Sequence, residues 1–255
     1  MYVDVVDLRE FYATPLGRAA SHSLGVALGA AWPDVLDERV VGLGYCLPWL
    51  ARYRERAERV LAFMPAAQGA VGWPQEGPSL TALVHDQQLP VADSSIDRLL
   101  MVHLLEHSEN PAETLSEAWR VLTPGGRLLI VAPNRTGLWA RFEHTPFGTG
   151  RPFSRGQMAR LLREALLTPT IWSDALHFPP MSRRSVLRAR TGLERISRGL
   201  WPAFAGVVVV EATKRLYQGL PSPARATRRV LIPALAPQAA ALAGNRVRRA
   251  PREPG

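Results

Sequence analysis

The sequence predicts an α/β fold in which a doubly wound, mainly parallel sheet carries helices on both faces. Short apolar and β-branched runs alternate along the chain with segments of helical periodicity, as repeated β–α units require. The run RLLIVAP is apolar at nearly every position, which is typical of a strand buried on both faces. With 255 residues, of which 47% are hydrophobic, the chain is long enough to bury one domain core of ordinary size.

Local patterns justify the individual elements in chain order. Thr14 and Pro15 match an N-cap followed by proline at the first helical position, so a helix is predicted before the first strand. The next elements are the strand RVVGL, the helical segment LARYRERAE and the strands RVLAFMP, TALVHD and IDRLLMVHLL. The helix NPAETLSEAWRVL and the turn TPGG lead to RLLIVAP. Ser154 and Gln157 form a capping box that begins another helix, and a polar, basic helical insert precedes the strand GVVVVEATK.

The cysteine content and the N-terminal stretch exclude several classes of protein. A single cysteine, Cys46, excludes an intrachain disulfide and a zinc site of several thiolates. The first residues, MYVDVVDLREFY, carry acids and no long apolar run, so we expect neither a signal peptide nor a transmembrane segment. These features predict a cytoplasmic protein.

Positive charge is concentrated towards the C-terminus. The formal net charge is +9, and after the strand GVVVVEATK the only acid is Glu253 among many arginines. We therefore expect an N-terminal helical segment (1–34), a main domain (35–219) and a basic Pro/Ala/Arg-rich tail (220–255). The tail either contacts a polyanion or an acidic partner protein, or it is a solvated and partly disordered extension.

Two longer motifs resemble a known family. The stretches LPVADSSIDRLLMVHLLEHSENP and EAWRVLTPGGRLLIVAPN resemble the class I, seven-stranded S-adenosylmethionine-dependent methyltransferases of the type 11 small-molecule branch. The resemblance covers roughly residues 35 to 215. It implies a Rossmann-like sheet of seven strands with an antiparallel strand near one edge, S-adenosylmethionine as cofactor, and direct transfer of its methyl group to a small-molecule acceptor.

The loop after the first strand departs from the family pattern. The acid and the alternate glycines of the family fall here on Gly42, Gly44, Cys46 and Pro48, and only Gly44 fits. Glycine matters there because the backbone must turn and approach the cofactor without a Cβ. Cys46 is tolerable if its φ is negative, and Pro48 lies where a helix begins and its missing N–H does little harm. The resemblance therefore implies that the loop still binds the cofactor, but weakly.

The next two strand ends carry the remaining cofactor residues that the resemblance implies. At the end of RVLAFMP, Phe63 and Met64 stand where the family has an acid for the ribose hydroxyls. Asp86, followed by Gln87, stands at the end of the third strand, where the family uses an acid beside the adenine amino group. A plain turn-capping role for Asp86 is the alternative.

The segment HLLEH allows two interpretations. His103, Glu106 and His107 have the spacing of the H-x-x-E-H zinc peptidases, whose motif needs a helix. In a continued strand, His103 and His107 lie on one side and Glu106 on the other, which does not assemble a zinc site. The family resemblance instead places this segment at the lip of the cofactor pocket, where hydrogen bonds fix the loop after the fourth strand.

Substrate contacts are expected in the loop after RLLIVAP, because open α/β sheets bind ligands beyond the carboxyl ends of their strands. His144 is the better candidate for an optional general base, with His107 as the second. The alternative is a loop packed by its own aromatic residues, with arginines that cap carbonyl groups. The expected binding residues for an anionic or aromatic acceptor are Asn134, Arg135, Trp139, Arg141 and Arg151.

Two other functions stay open beside methyl transfer. The degenerate loop is compatible with a catalytically inactive binding or regulatory module, and the basic tail is compatible with nucleic-acid binding or methylation. The orientation of Tyr45, Phe63 and Met64 distinguishes the first alternative from an enzyme. Side chains that point into the adenosine space favour the inactive module, whereas side chains that face the helices favour the enzyme.

Overall fold

The apolar runs of the sequence form the strands of one sheet. The computed structural model describes residues 2–181 and 205–215. Within these residues the strands are β1 (Arg39–Gly44), β2 (Arg59–Pro65), β3 (Thr81–Val84), β4 (Ile96–Val102), β5 (Leu122–Pro133), β6 (Leu167–Ala175) and β7 (Val207–Lys214).

The order of the strands is β3-β2-β1-β4-β5-β7-β6. Strand β1 pairs in parallel with β2 and β4, and β7 runs antiparallel to both β5 and β6. The chain crosses from one half of the sheet to the other in the connection from β3 to β4, so the strand order reverses between the neighbours β1 and β4. This confirms the doubly wound, mainly parallel sheet of seven strands with an antiparallel strand near one edge.

Capping residues set the helix boundaries. The helices are α1 (Val5–Ala13), α2 (Pro15–Ala31), α3 (Leu47–Leu50), α4 (Pro111–Val121) and α5 (Arg155–Glu164). Asp4 caps α1, and Thr14 caps α2 through the N–H of Gly17. The predicted capping box of Ser154 and Gln157 is present at the start of α5. Each cap satisfies N–H groups that the first helical turn leaves without an intrahelical partner.

Three elements differ from the sequence predictions. The helix expected at LARYRERAE is reduced to α3 and a short 3-10 turn, Ala51–Tyr53. Helix α1 was not predicted, although Val5, Leu8 and Tyr12 repeat at helical spacing and are buried. Strand β6 was not identified in the sequence because it is an edge strand that lacks an apolar alternation and shifts register at Pro169.

The two faces of the sheet bury separate hydrophobic clusters. Helices α1, α2 and α3 pack over one face, to which Met64 contributes. Helices α4 and α5 pack over the other face, to which Phe63 contributes. The polar helical insert and the basic tail lie outside the described residues. No helix within the described residues is long and apolar enough to cross a membrane.

Candidate functional site

The turn after β1 presses the backbone against the neighbouring strand. Gly44 has φ +91°, and a Cβ built on it would overlap the carbonyl oxygen of Val102 at the end of β4. The N–H of Tyr45 donates to that same oxygen at 2.9 Å. Glycine is required here for its positive φ and for the close approach of two chains. The expectation that Gly44 is the turn glycine agrees with this geometry.

The rest of the loop is built as the sequence analysis allows. Cys46 has φ −102° and Pro48 lies in the first turn of α3, so neither residue strains the backbone. A Cβ on Gly42 would come within 2.6 Å of the Cβ of Cys46, so Gly42 makes room for that side chain. Burial raises the pKa of the Cys46 thiol, which makes it a packing group and not a nucleophile.

The side chains at the end of β2 are buried in the core on both faces of the sheet. Phe63 is 4% exposed and Met64 is fully buried, and they pack in the clusters on opposite faces of the sheet. The assignment of Phe63 and Met64 to cofactor contact is therefore corrected, because both side chains belong to the core.

Asp86 is the carboxylate that stands beyond the end of β3. It is 8% exposed, and its Oδ2 accepts hydrogen bonds from the hydroxyls of Tyr2, Ser108 and Thr114 at 2.9, 3.2 and 3.0 Å. A cavity of about 350 Å³ opens beside it, and Gln87 and His107 line the wall together with Tyr2. Asp86, Gln87 and His107 therefore line one cavity.

The chain leaves β4 through a residue in the left-handed region. Strand β4 ends at Val102, and His103 follows with φ 52° and no exposed surface. The extrapolated strand that put His103 and Glu106 on opposite sides is wrong, because this turn brings Nδ1 of His103 to 3.4 Å from a carboxylate oxygen of Glu106. Non-glycine residues held in this region are uncommon and concentrate at functional sites.

A buried polar chain runs from Tyr12 through His103 to Glu106. The hydroxyl of Tyr12 and Nε2 of His103 are 2.7 Å apart, and burial is the main cause of the raised pKa of Tyr12. Glu106 is 2% exposed, and neither of its carboxylate oxygens has a hydrogen-bond partner among residues 2–181 and 205–215. An imidazole between a hydroxyl and a carboxylate is suited to hold or transfer a proton.

The carboxyl ends of the parallel strands β1 to β4 lie side by side along one edge of the sheet, and we call this region the strand-end cleft. Its residues include Gly44 at the end of β1, Gln68 after β2, Asp86 after β3 and His103 after β4. Gln68 is 1% exposed and its amide donates to the carbonyl of His103 at 3.1 Å. This is the edge at which open α/β sheets bind ligands.

Residues 2–13, which we call the N-terminal segment, lie across the strand-end cleft. Tyr2 binds Asp86, and Tyr12 stacks on Tyr45 with ring centres 5.6 Å apart and planes 8° apart. Tyr2 and Tyr12 lie outside the resembling domain, and Gln68 lies inside it but outside the motifs that carry the resemblance, so none of the three was predicted. The available signal was Asp4 as an N-cap before apolar positions at helical spacing.

The loop after β5 reaches the strand-end cleft through few of its residues. Phe147 is 1% exposed and its ring lies 4.7 Å from that of His103. Gly150 packs on the side chain of Glu106, and the N–H of Arg151 donates to the carbonyl of Glu106 at 2.8 Å. The predicted residue Arg151 thus lies beside the cleft.

The other predicted loop residues are dispersed. Trp139 is fully buried and its indole donates to the carbonyl of Phe178, so its assignment to substrate contact is corrected to a packing role. Asn134 is buried and donates to the carbonyl of Ala205. The ring of His144 is exposed, with Nε2 3.2 Å from the carbonyl oxygen of Pro180. Two further predicted residues, Arg135 and Arg141, are exposed.

Comparison with known proteins shows similarity to methyltransferases. Residues 25–130 match the family model described as a methyltransferase domain. A protein of Mycolicibacterium smegmatis, named as a probable S-adenosylmethionine-dependent methyltransferase, is 42% identical over 111 residues, which are 44% of this chain and 36% of the relative. The chain spans less than half of the length of the curated relatives that it matches.

Solved structures agree with this class at the level of fold. An S-adenosylmethionine-dependent methyltransferase of Thermotoga maritima has a TM-score of 0.56 at 19% identity, with 83% of this chain and 96% of that chain covered. Geranyl diphosphate C-methyltransferase of Streptomyces coelicolor, in complex with S-adenosyl-L-homocysteine, has a TM-score of 0.55 at 16% identity, with 76% and 77% covered. These solved structures show the fold of the chain, and the match to the methyltransferase-domain model covers residues 25–130 of it.

The strand-end cleft fits the cofactor of this family in part. The positive φ of Gly44 and the buried carboxylate of Asp86 meet the needs of a nucleoside ligand, and no acid ends β2. The buried amide oxygen of Gln68 also lacks a hydrogen-bond partner in the described part of the chain. The cleft therefore offers polar groups for a ligand, but the N-terminal segment lies over them.

Proposed function

We propose that this protein transfers a methyl group from S-adenosylmethionine to a small-molecule acceptor. The observation that carries the proposal is the turn at Gly44, which brings the end of β1 against the end of β4, together with the buried carboxylate of Asp86 beyond the end of β3. A tight glycine turn at the carboxyl end of a central parallel strand lets the backbone approach a nucleotide ligand at this edge of the sheet.

Different residues around the strand-end cleft would contact different parts of the cofactor. Asp86 would accept from the adenine amino group, Gln87 and His107 would line its wall, and the backbone at Gly44 would face the methionine end. The missing acid after β2 leaves the ribose hydroxyls without a carboxylate. A site that keeps this carboxylate is taken to bind with a low-micromolar dissociation constant. Losing one or two hydrogen bonds of about 0.5–1.5 kcal/mol each raises that constant to the range of tens to hundreds of micromolar.

Catalysis then rests on positioning and on control of one proton. When bound, S-adenosylmethionine supplies an electrophilic methyl group, and the protein aligns the acceptor with it and excludes water. His103 is a base candidate, since its Nε2 faces the strand-end cleft through Tyr12 while Glu106 lies 3.4 Å behind Nδ1. His144, the candidate from the sequence, lies on the loop that follows β5 and would act only on an acceptor bound there.

Charge in the same loop favours an anionic acceptor. Arg135, Arg141 and Arg151 are exposed, and Arg151 is joined to the cleft through its backbone bond to Glu106. Guanidinium groups bind carboxylate and phosphate groups in a bidentate manner. We therefore place small carboxylates and phosphate esters first among acceptors.

The test combines turnover with binding. Purified protein is incubated with S-adenosylmethionine and a panel of carboxylate and phosphate-ester acceptors, and S-adenosylhomocysteine is quantified by mass spectrometry. We expect product with at least one acceptor, and saturable binding of S-adenosylmethionine in isothermal titration. Cofactor binding without turnover on any acceptor would support the catalytically inactive binding module instead.

A further inference from the structure

The N-terminal segment makes one anchor at the end of each of the four parallel strands that line the strand-end cleft. Tyr12 stacks on Tyr45 after β1, and the N–H of Val5 donates to the carbonyl of Gln68 after β2 at 2.8 Å. Beyond β3 and β4, the hydroxyls of Tyr2 and Tyr12 lie 2.9 and 2.7 Å from Asp86 and His103.

These anchors coincide with the groups that a nucleoside cofactor needs. Tyr2 donates to the carboxylate that would otherwise accept from an adenine amino group. Leu8 is fully buried and Val5 is 5% exposed, so the segment is held in place by apolar side chains that pack in the core. The part of the cleft beside Asp86, Gln87 and His107 is open, as the cavity of about 350 Å³.

We propose that the N-terminal segment is an intramolecular competitor of the cofactor, with the Tyr2 hydroxyl in the place of the adenine amino group. This inference rests on the proposed function and adds its regulation. Cofactor binds only to molecules in which the segment has withdrawn, so the apparent affinity is the intrinsic affinity multiplied by the withdrawn fraction. Withdrawal also uncovers Nε2 of His103, so one movement opens the cofactor site and frees the base candidate.

The direction of a mutational effect separates competition from a supporting role. Tyr2→Phe and Tyr12→Phe each remove one hydroxyl anchor and keep the ring that packs. If the segment competes, the double variant binds S-adenosylhomocysteine about 3- to 30-fold more tightly in isothermal titration, since each lost hydrogen bond raises the withdrawn fraction. Tyr53→Phe is the matched control, because its buried hydroxyl has no hydrogen-bond partner among the described residues and packs with Trp32, away from the cleft.

Hydrogen–deuterium exchange of α1 gives a second readout that does not depend on turnover. We expect S-adenosylhomocysteine to accelerate exchange of the amides of Val5–Ala13 in the wild-type protein, because binding favours the withdrawn state. Protection of these amides by the ligand, or weaker binding in the tyrosine variants, would overturn the proposal and make the segment part of the bound site. Tyr2→Phe alone provides the same comparison if the double variant does not fold.

The results also separate this inference from the proposed function. Equal affinity in wild type, Tyr2→Phe and the double variant, with measurable binding in all three, rejects competition and leaves the methyltransferase proposal standing. No binding of S-adenosylhomocysteine to any variant at millimolar concentration rejects the proposed function, and the competition with it.

Discussion

Substitution of Gly44 by alanine tests the geometry of the turn most sharply. The residue has φ +91°, and an added Cβ would lie under 3.0 Å from the carbonyl oxygen of Val102, which belongs to backbone and cannot rotate away. The left-handed conformation costs an L-residue about 1–2 kcal/mol, and overpacking typically costs about 1–3 kcal/mol more. We therefore expect Gly44→Ala to lower the free energy of unfolding by about 2–5 kcal/mol.

Two other glycines of the same protein separate the cost of the positive φ from the cost of the steric overlap. Gly77 also has a positive φ, +87°, but a Cβ there meets nothing within 4 Å, so Gly77→Ala carries the conformational cost alone. Gly72 has neither constraint, and Gly72→Ala should change stability by less than about 1 kcal/mol. Urea unfolding of the three variants measures the difference. If Gly44→Ala costs no more than Gly77→Ala, the turn does not press against β4 as described.

Three further predictions follow from burial and charge. Phe63→Asp and Met64→Asp each bury an unpaired charge in the core, so each should lower the free energy of unfolding by more than about 3 kcal/mol and leave cofactor binding no tighter. Thermal melts measure this, and the control Ala66→Asp, at an exposed position just after β2, should fold normally. Burial acts to raise the pKa of Asp97, but the hydrogen bonds from Arg39 outweigh it and lower the pKa; this carboxylate therefore stabilises the fold above about pH 4, and unfolding curves should show that Asp97→Asn loses less stability than wild type as the pH falls. Deletion of residues 220–255 should keep the melting temperature and weaken polyanion binding on heparin resin, since it removes much of the excess positive charge; aggregation or a melting temperature several degrees lower would show that the tail packs on the domain.

Strands were predictable where burial on both faces makes the sequence continuously apolar. RLLIVAP and GVVVVEATK are such runs, and they became β5 and β7. Strand β6 lacks this signal because it lies at the edge of the sheet, where one side of the ladder has no neighbour and Pro169 is tolerated. The alternation of apolar runs and helical segments thus predicts the architecture, but it does not reveal strands at the edge of the sheet.

The site was predictable only in the parts that belong to one stretch of chain. Gly44 ends β1 with a positive φ and Asp86 follows β3, and both positions can be read from the local pattern of an apolar run followed by a turn residue. The bond between Tyr2 and Asp86 joins residues 84 positions apart, and a contact of that kind leaves no local periodicity to detect. His103 and Glu106 lie close together because the strand ends at Val102. The residues HLL that follow are mostly apolar, so the sequence does not show this boundary.

Orientation of side chains at a strand end was likewise beyond the sequence. Phe63 and Met64 are neighbours on β2 and therefore point to opposite faces of the sheet, where both are buried. The structure meets the criterion that these two side chains face the helices. Tyr45 is different, because it lies under Tyr12 and the N-terminal segment fills the space above it.

Titration of S-adenosylmethionine and S-adenosylhomocysteine into the wild-type protein tests the central claim most directly. The claim is that the ends of β1 and β3, at Gly44 and Asp86, form a cofactor site that is weakened but not lost. The account predicts saturable binding of both ligands with dissociation constants of tens to hundreds of micromolar, and a melting temperature that rises with ligand concentration. The absence of any heat at millimolar ligand, together with an unchanged melting temperature, would contradict it.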